Sequence, residues 1–342
     1  MYFRFYIYIV VEDFFNLLRR RNRQYTFEIP RMIAKEENKP IILVWLRMLC
    51  SLVLTGCTFK EYYNLSFSKR TLSNQRTFIT TGSNMNAYSQ LNDKACNHIF
   101  LNKDEFNTRF ADYIVREWIR FSENKEVIYA FCKRHKDIII KPVNGDSGRG
   151  ITIVHNCNEL TEAEIDQIIA KHRGDIAEEV LHNHPKLNEL NPLSLNTMRV
   201  ITVRKKDKLS ILFAGIRYGA KGCEIDNIST GGYIAPIDIA TGKICGESHA
   251  KRTVSAEEIK TENYIGFQIP MWERLTDYLY GLTAVVPQMK YMAWDIAITS
   301  TGFATIEGNH SSGNTVTQAH LDAKQQGLKT RLNEIIKQFE QK

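Results

Sequence analysis

The stretch DIIIKPVNGDSGRGITIV, Asp137 to Val154, constrains the fold more than any other: an apolar run closed by a lysine, a glycine-rich loop, then a second β-branched run. Gly145, Gly148 and Gly150 permit positive φ and close approach of the backbone to a ligand, so successive amides can point at an anion. Lys141 adds a fixed cation. The element after the loop decides the reading. ITIV is a short β-branched run and not an amphipathic helix, which predicts a hairpin whose strands flank the loop. A Rossmann turn or a Walker A loop opens a helix instead, and the GKS or GKT ending is absent. Two readings remain, a flap that closes over phosphates and an ordinary glycine-containing hairpin.

At 342 residues the chain exceeds the usual size of a single core, so two or more subdomains sharing a cleft are expected. Hydrophobic content of 43% and charged content of 24% describe a folded protein, which argues against a disordered chain. The net charge of +7 is unevenly distributed: residues 1–70 hold twelve Lys or Arg against six Asp or Glu. The seven cysteines, Cys50, Cys57, Cys96, Cys132, Cys157, Cys223 and Cys245, are scattered and lack CxxC spacing. They read as reduced thiols of a cytoplasmic protein, neither a disulfide frame nor a zinc site.

Two segments imitate export or membrane signals. The run IILVWLRMLCSLVLTGC, Ile41 to Cys57, ends like a lipoprotein cleavage box, but it starts too far from the N-terminus for a signal peptide and contains Arg47. It also falls short of the roughly 20 residues that span a bilayer. A buried helix is the expectation. The opening MYFRFYIYIVVEDFFNLLRRRNR sets aromatics and aliphatics before Arg19, Arg20, Arg21 and Arg23. Such a pairing can hold a protein at an anionic membrane surface. It also suits a core helix with a solvated basic end, the reading preferred here.

Residues 1–100 read as mainly helical and aromatic-rich, with a polar loop over Thr71 to Asn86. Phe106, Phe110, Ile114, Trp118 and Phe121 recur at helical spacing. From Asp137 onward, strand-like runs (IIIK, ITIV, RVITV, LSILFAGI, YIAPIDI, AWDIAI, FATIEG) alternate with helical stretches such as Glu162 to Arg173 and Met271 to Ala284. This mixture predicts an α+β body built on antiparallel sheets.

A second chemical cluster lies in AWDIAITSTGFATIEGN, two strands joined by a turn at Ser300 to Gly302. Asp295 sits on the first strand, and Glu307 and Asn309 share one face of the second. Grouped hard oxygen ligands suit Mg²⁺ rather than Zn²⁺. The alternative is a set of strand-end polar residues facing solvent. Arg199 in NTMRVITV and Arg217 in LSILFAGIRYG can clamp phosphate or carboxylate bidentately, or serve as surface ion-pair partners. Asn227, Gly231 and Gly232 in EIDNISTGGYIAP mark another place where backbone can approach a ligand.

Taken in order, LNKDEFNTRFADYIVREWI, DIIIKPVNGDSGRGI, EEVLHNHPKLNELNPLSLNTMRVITV, DNISTGGYIAPIDIATGKI, GFQIPMWERL and YMAWDIAITSTGFATIEGNHSSG resemble the ATP-grasp superfamily. The likeness is to its sugar-transfer-associated branch, related to α-L-glutamate ligases, and covers about residues 45–315. It implies an ATP-grasp fold in the α+β class, with nucleotide held between two antiparallel-sheet subdomains. A basic helical region would occupy residues 1–100 and the catalytic domain 101–335, with an N-lobe and flap over 101–180 and a metal-bearing C-lobe over 181–335.

The resemblance also assigns roles. Lys141 matches the strand lysine on the α-phosphate, and Lys103, preferred over Lys94 for its downstream context, matches the earlier lysine. Ser147, Gly148, Arg149 and Gly150 would cover the β- and γ-phosphates. Glu178, Glu179 and Leu181 belong to the hinge that holds adenine through main-chain groups, and Asn227 is a further nucleotide contact. Arg199 and Arg217 correspond to arginines near the γ-phosphate and acyl-phosphate, and Asp295, Glu307 and Asn309 to ligands of Mg²⁺ or Mn²⁺. Ser312 precedes Gly313 where the family pattern has proline, and His182 and His184 read as structural.

The implied function is an ATP- and Mg²⁺-dependent carboxylate-amine ligase acting through an acyl-phosphate in bacterial surface or capsular polysaccharide biosynthesis. A kinase phosphorylating a hydroxyl, or a nucleotide-binding scaffold for glycosyltransferases, are the alternatives. The implied partners are small-molecule or glycan-linked carboxylates and amines and membrane glycosyltransferase machinery, without nucleic acid. The implied location is cytoplasmic, at the inner face of the membrane as a peripheral protein.

Overall fold

The computed structural model describes residues 23–144, 150–224, 226, 231–250, 264–310, 313, 317–321 and 324–340. Two antiparallel sheets organise the chain. The first has four strands in the order β1-β4-β2-β3, with β1 Trp118–Arg120, β2 Ile138–Lys141, β3 Thr152–Val154 and β4 Ile176–Glu179. The second has six in the order β10-β9-β5-β6-β7-β8, with β5 Thr197–Lys205, β6 Lys208–Tyr218, β7 Tyr233–Pro236, β8 His249–Ala250, β9 Tyr291–Ile298 and β10 Phe303–Asn309.

Among the described residues, eight helices of seven or more residues cover these sheets and build the N-terminal region. They are α1 Arg23–Glu37, α2 Ile41–Thr55, α3 Thr81–Leu91, α4 Lys103–Arg109, α5 Lys125–Arg134, α6 Glu162–Lys171, α7 Leu275–Leu282 and α8 Lys329–Glu340.

In the first sheet the alternation of β2 separates core from cleft. Ile138 and Ile140 are buried with Phe131 of α5, Ile165 of α6 and Ala177 of β4, while Ile139 and Lys141 take the opposite face. β2 and β3 pair as the hairpin the sequence predicts, with Ile138 opposite Val154 and Ile140 opposite Thr152. At the foot of its loop Gly150 has φ 75°, and a Cβ there would sit 2.9 Å from Pro142 Cγ, so glycine is required on both counts.

The second sheet is covered on both faces. Met198, Val200, Trp294 and Ile296 pack with Phe106, Phe110 and Leu279. On the other face Ile201, Val203 and Ala293 pack with Ile79, Ala87 of α3 and Leu332 of α8. The residues at one end of that second face, Thr197, Arg199 and Asp295, are left for chemistry.

Two elements differ from the sequence reading. The polar stretch Thr71 to Asn86 is not a loop: it holds the turn Leu72–Gln75 and the start of α3, because Thr71 and Thr80 are N-caps whose hydroxyls accept from Asn74 and Ser83 N–H groups. The apolar series Phe106 to Phe121 is not one helix. α4 ends at Arg109, a four-residue turn Ala111–Ile114 follows, and Val115 at φ 63° turns the chain so that Trp118 enters β1.

The apolar run from Ile41 does form a helix, α2, but only one side of it is buried: Val44, Met48, Ser51, Leu52 and Thr55. Among the described residues no single helix is long and apolar enough to cross a membrane.

Candidate active site

The two sheets face a cleft of about 1110 Å³. Lys103, Lys141, Glu178, Glu179, Leu181, Arg217, Asp295, Glu307 and Asn309 all line it. Arg199 joins them through Asp295, and Gly150 adjoins through Pro142. Ser147, Gly148, Arg149 and Asn227, as well as the arginine cluster Arg19 to Arg21, lie outside the described residues.

On the first sheet the centre is Glu178, which is 2% exposed. Its carboxylate takes a forked pair from Arg116, with Nε 2.8 Å from Oε2 and Nη2 2.9 Å from Oε1. Lys141 Nζ lies 2.5 Å from Oε2, and Asn107 Nδ2 donates to Oε1 at 3.1 Å. Burial opposes ionisation of this carboxyl, but the charges of Arg116 and Lys141 outweigh burial and hold its pKa well below the usual range. Two cations against one carboxylate leave one positive charge at the cleft wall. Glu178 therefore serves through its side chain in the ion network.

Glu179 braces the neighbouring strand: its N–H donates to the Glu117 carbonyl at 2.9 Å, and its Oε2 accepts from Glu117 N–H at 3.1 Å. Lys103 opens α4, its backbone N–H bonded to the Val143 carbonyl beside the flap's first strand.

On the second sheet, register gathers the other group. Arg199 is opposite Asp295 across β5 and β9, and Asp295 is opposite Glu307 across β9 and β10. An irregularity between Thr305 and Glu307 inserts Ile306 as an extra residue, a β-bulge that turns Glu307 to the Asp295 face. Gly308 follows opposite Trp294, where a Cβ would come within 2.9 Å of the indole.

Arg199 Nε lies 2.8 Å from Asp295 Oδ1 and Arg217 Nη2 lies 3.0 Å from Oδ2. Arg217 also donates to Thr197 Oγ1 at 2.6 Å and stands 3.7 Å from Asp226, which accepts from the Thr197 hydroxyl. Asn309 Nδ2 donates to Glu307 Oε1 at 3.1 Å.

Burial and the neighbouring Glu307 push the Asp295 carboxyl up to about 7 against the pull of both arginines. Burial also acts on Glu307, but the hydrogen bond from Asp295 and the charge of Arg199 bring it down to about 2. Two buried carboxyls side by side resist ionising together, the condition a cation relieves.

The donor set fits a hard divalent ion. Asp295 Oδ1 is buried and receives no hydrogen bond from the described residues, although Arg199 Nε stands 2.8 Å from it as an ion-pair partner. Asn309 points its amide N–H₂ at Glu307, which leaves its carbonyl oxygen to accept. Among the described residues no three His, Cys, Asp or Glu cluster for a metal, so the set is two carboxylates and an amide, an oxygen site with open positions.

Arg116, Asn107, Thr197 and Asp226 are the site residues that sequence reasoning missed. Nothing local in the sequence marked Arg116; in the structure it follows Val115, a β-branched residue at φ 63° whose strain, about 1–3 kcal/mol, is of the kind found in functional segments.

The chain matches the family described as sugar-transfer associated ATP-grasp over residues 75–337. No curated protein sequence matches it. Among solved structures it is similar to the ATP-grasp ligase PsnB complexed with minimal precursor, Mg and ADP, at 13% identity and TM-score 0.44, covering 79% of this chain and 70% of that one. D-alanyl-alanine synthetase A from Vibrio cholerae gives 11% identity, TM-score 0.44 and coverage of 73% and 68%. VanG D-Ala:D-Ser ligase from Enterococcus faecalis gives 14% identity, TM-score 0.46 and coverage of 72% and 64%.

Proposed function

The chain belongs to the sugar-transfer associated ATP-grasp family, and from that premise we propose that it is an ATP- and Mg²⁺-dependent carboxylate-amine ligase. The observation that carries the reading is the convergence of Arg199, Arg217, Asp295, Glu307 and Asn309 on one sheet face, across a cleft from Lys141.

Lys141, held by Glu178, and Lys103 bind the phosphates, and the flap residues Ser147, Gly148, Arg149 and Gly150 cover them. Asp295, Glu307 and Asn309 hold Mg²⁺, which when bound offsets charge on the β- and γ-phosphates. Glu179 and Leu181 supply main-chain groups to the adenine, and Asn227 adds a nucleotide contact. Arg217 and Arg199 orient the substrate carboxylate and stabilise charge as its oxygen takes the γ-phosphoryl group from ATP, releasing ADP. The acyl-phosphate so formed reacts with an amine, a C–N bond forms, and inorganic phosphate leaves. Flap closure excludes water that would otherwise hydrolyse the acyl-phosphate.

The catalytic unit of this reading spans residues 101–335, with the flap-bearing lobe over 101–180 and the metal-bearing lobe over 181–335, preceded by a basic helical region. The substrates are small-molecule or glycan-linked carboxylates and amines. The setting in this reading is surface polysaccharide assembly beside membrane glycosyltransferases, at the inner face of the membrane; the family description, sugar-transfer associated, favours its link to sugar transfer.

A substrate labelled with ¹⁸O in its carboxylate tests the reaction. Label appearing in released phosphate is the expected result. Turnover of an authentic substrate that forms a stable phosphate ester and transfers no label overturns the ligase reading in favour of a kinase.

A further inference from the structure

Helix α2 is apolar on both sides but buried on one. Val44, Met48 and Leu52 are sealed against Phe59, Tyr62 and Phe67. On the opposite side Ile42 is 65%, Leu46 57%, Leu49 38% and Val53 51% exposed, flanked by Leu43 and Leu54, and Phe27 of α1 is 48% exposed. At about 100° per residue the six α2 side chains fill a stripe about 140° wide. Arg47, the one charged residue of α2, stands at its border and leans on Glu37 at 3.8 Å. Single exposed apolar residues need no explanation, but a stripe of six on one helix is a contact surface.

We propose that this face rests on an anionic lipid surface, with α2 lying in the plane of the bilayer and its exposed side chains in the boundary between headgroups and acyl chains. The helix has 15 residues, about 22 Å at about 1.5 Å per residue, too short to span the hydrocarbon core. Its inner side is committed to protein, which leaves its outer side to rest along the surface.

Charge selects the occupant. Residues 1–70 carry twelve Lys or Arg against six Asp or Glu, and Arg31 and Lys35 of α1 are exposed. In sequence Arg19, Arg20, Arg21 and Arg23 fall at the start of the same region. A second copy meeting this face would set two basic regions against each other, whereas an anionic leaflet attracts them. The described lining of the nucleotide cleft begins at Phe100, so this surface is separate from the proposed chemistry and survives or fails independently of it.

The test is flotation of the full chain with vesicles of phosphatidylcholine alone and of phosphatidylcholine with phosphatidylglycerol. The expected result is recovery with the anionic vesicles, reduced by high salt, and a loss of about tenfold or more in the L46E/V53E variant, whose stripe then carries two charges. Thermal unfolding of the variant certifies its fold, and L46S/V53S, a milder change, should give an intermediate loss if the charged variant unfolds. Absence of wild-type recovery on anionic vesicles overturns the proposal, as does recovery of both variants at the wild-type level. A wild-type dimer that the variants dissociate, without vesicle binding, assigns the face to a second copy instead.

Discussion

Arg116 and Glu178 form a forked ion pair, and the same guanidinium reaches the other sheet, donating to the carbonyls of Thr305 at 2.8 Å and Ile306 at 3.3 Å. One side chain thus ties the wall that presents Lys141 to the bulge that aims Glu307. Truncating it leaves a buried carboxylate with one cation fewer and two backbone acceptors unfilled. R116A should lose about 3–5 kcal/mol of stability in urea unfolding, and R116K should recover only part of it, because an ammonium cannot fork.

Lys141 presents the cation that the cleft wall has in excess. K141A should weaken ATP binding by roughly 10- to 100-fold in calorimetric titration, the scale of one charged hydrogen bond. Glu178 keeps Arg116 in that variant, so the fold should survive. Unchanged affinity would remove the phosphate role assigned to the lysine.

Of the three proposed metal ligands, Glu307 is the one whose charge is not held by an arginine in direct contact. E307Q keeps its shape and should raise the Mg²⁺ concentration needed for half-maximal ATP turnover by about tenfold or more. D295N should do the same and also lower the melting temperature, since Arg199 and Arg217 lose their shared counter-charge. A magnesium titration of both variants separates the two effects.

Val115 holds a left-handed backbone that costs a β-branched residue energy. V115G relieves it at the expense of a freer unfolded chain, and the residue is exposed, so little packing is lost. The net expectation is a gain of up to about 1 kcal/mol, read as a rise in melting temperature. A fall would show that the valine side chain contributes more than the strain.

The Glu178 carboxyl has a folded-state pKa below its ordinary 4.5, because Arg116 and Lys141 overcome the penalty of burial. Its contribution to stability is therefore complete above about pH 4.5 and is lost as pH falls below that value. Unfolding free energy measured from pH 7 downward should show this acid limb in the wild type. In E178Q the limb should be shallower and the whole curve lower.

Legibility in the sequence followed the distance between partners. The flap hairpin was readable because its glycines and β-branched runs lie within eighteen consecutive residues, Asp137 to Val154. The acidic hairpin was readable for the same reason. Arg116 was not, since its partners Glu178 and Thr305 lie 62 and 189 positions away. The Phe106 to Phe121 series misled because a helix, a turn and a strand can share a spacing near four, and only Val115's conformation breaks it. The Ser, Thr and Asn of residues 71–86 looked like loop chemistry and were in part helix caps. The far side of α2 was hidden for a simpler reason: an apolar residue buried in protein and one left exposed read alike.

The bulge at Ile306 makes the meeting of Asp295 and Glu307 a matter of odd and even. In an unbroken ladder from the Ile298 and Phe303 pairing, Glu307 would stand opposite Trp294, aimed into the packed core. One inserted residue reverses the parity, so the carboxylate meets Asp295 while the glycine after it takes the place beside the indole. Removing Ile306 would restore an unbroken ladder in which the glutamate follows Thr305 directly and still meets Asp295, whereas smoothing the bulge with Ile306 in place would keep every charged residue of the hairpin and dismantle the site. For the same reason, any relative whose strand lacks that extra residue must carry its acid one step earlier, directly after the residue in the place of Thr305, to present it on this face.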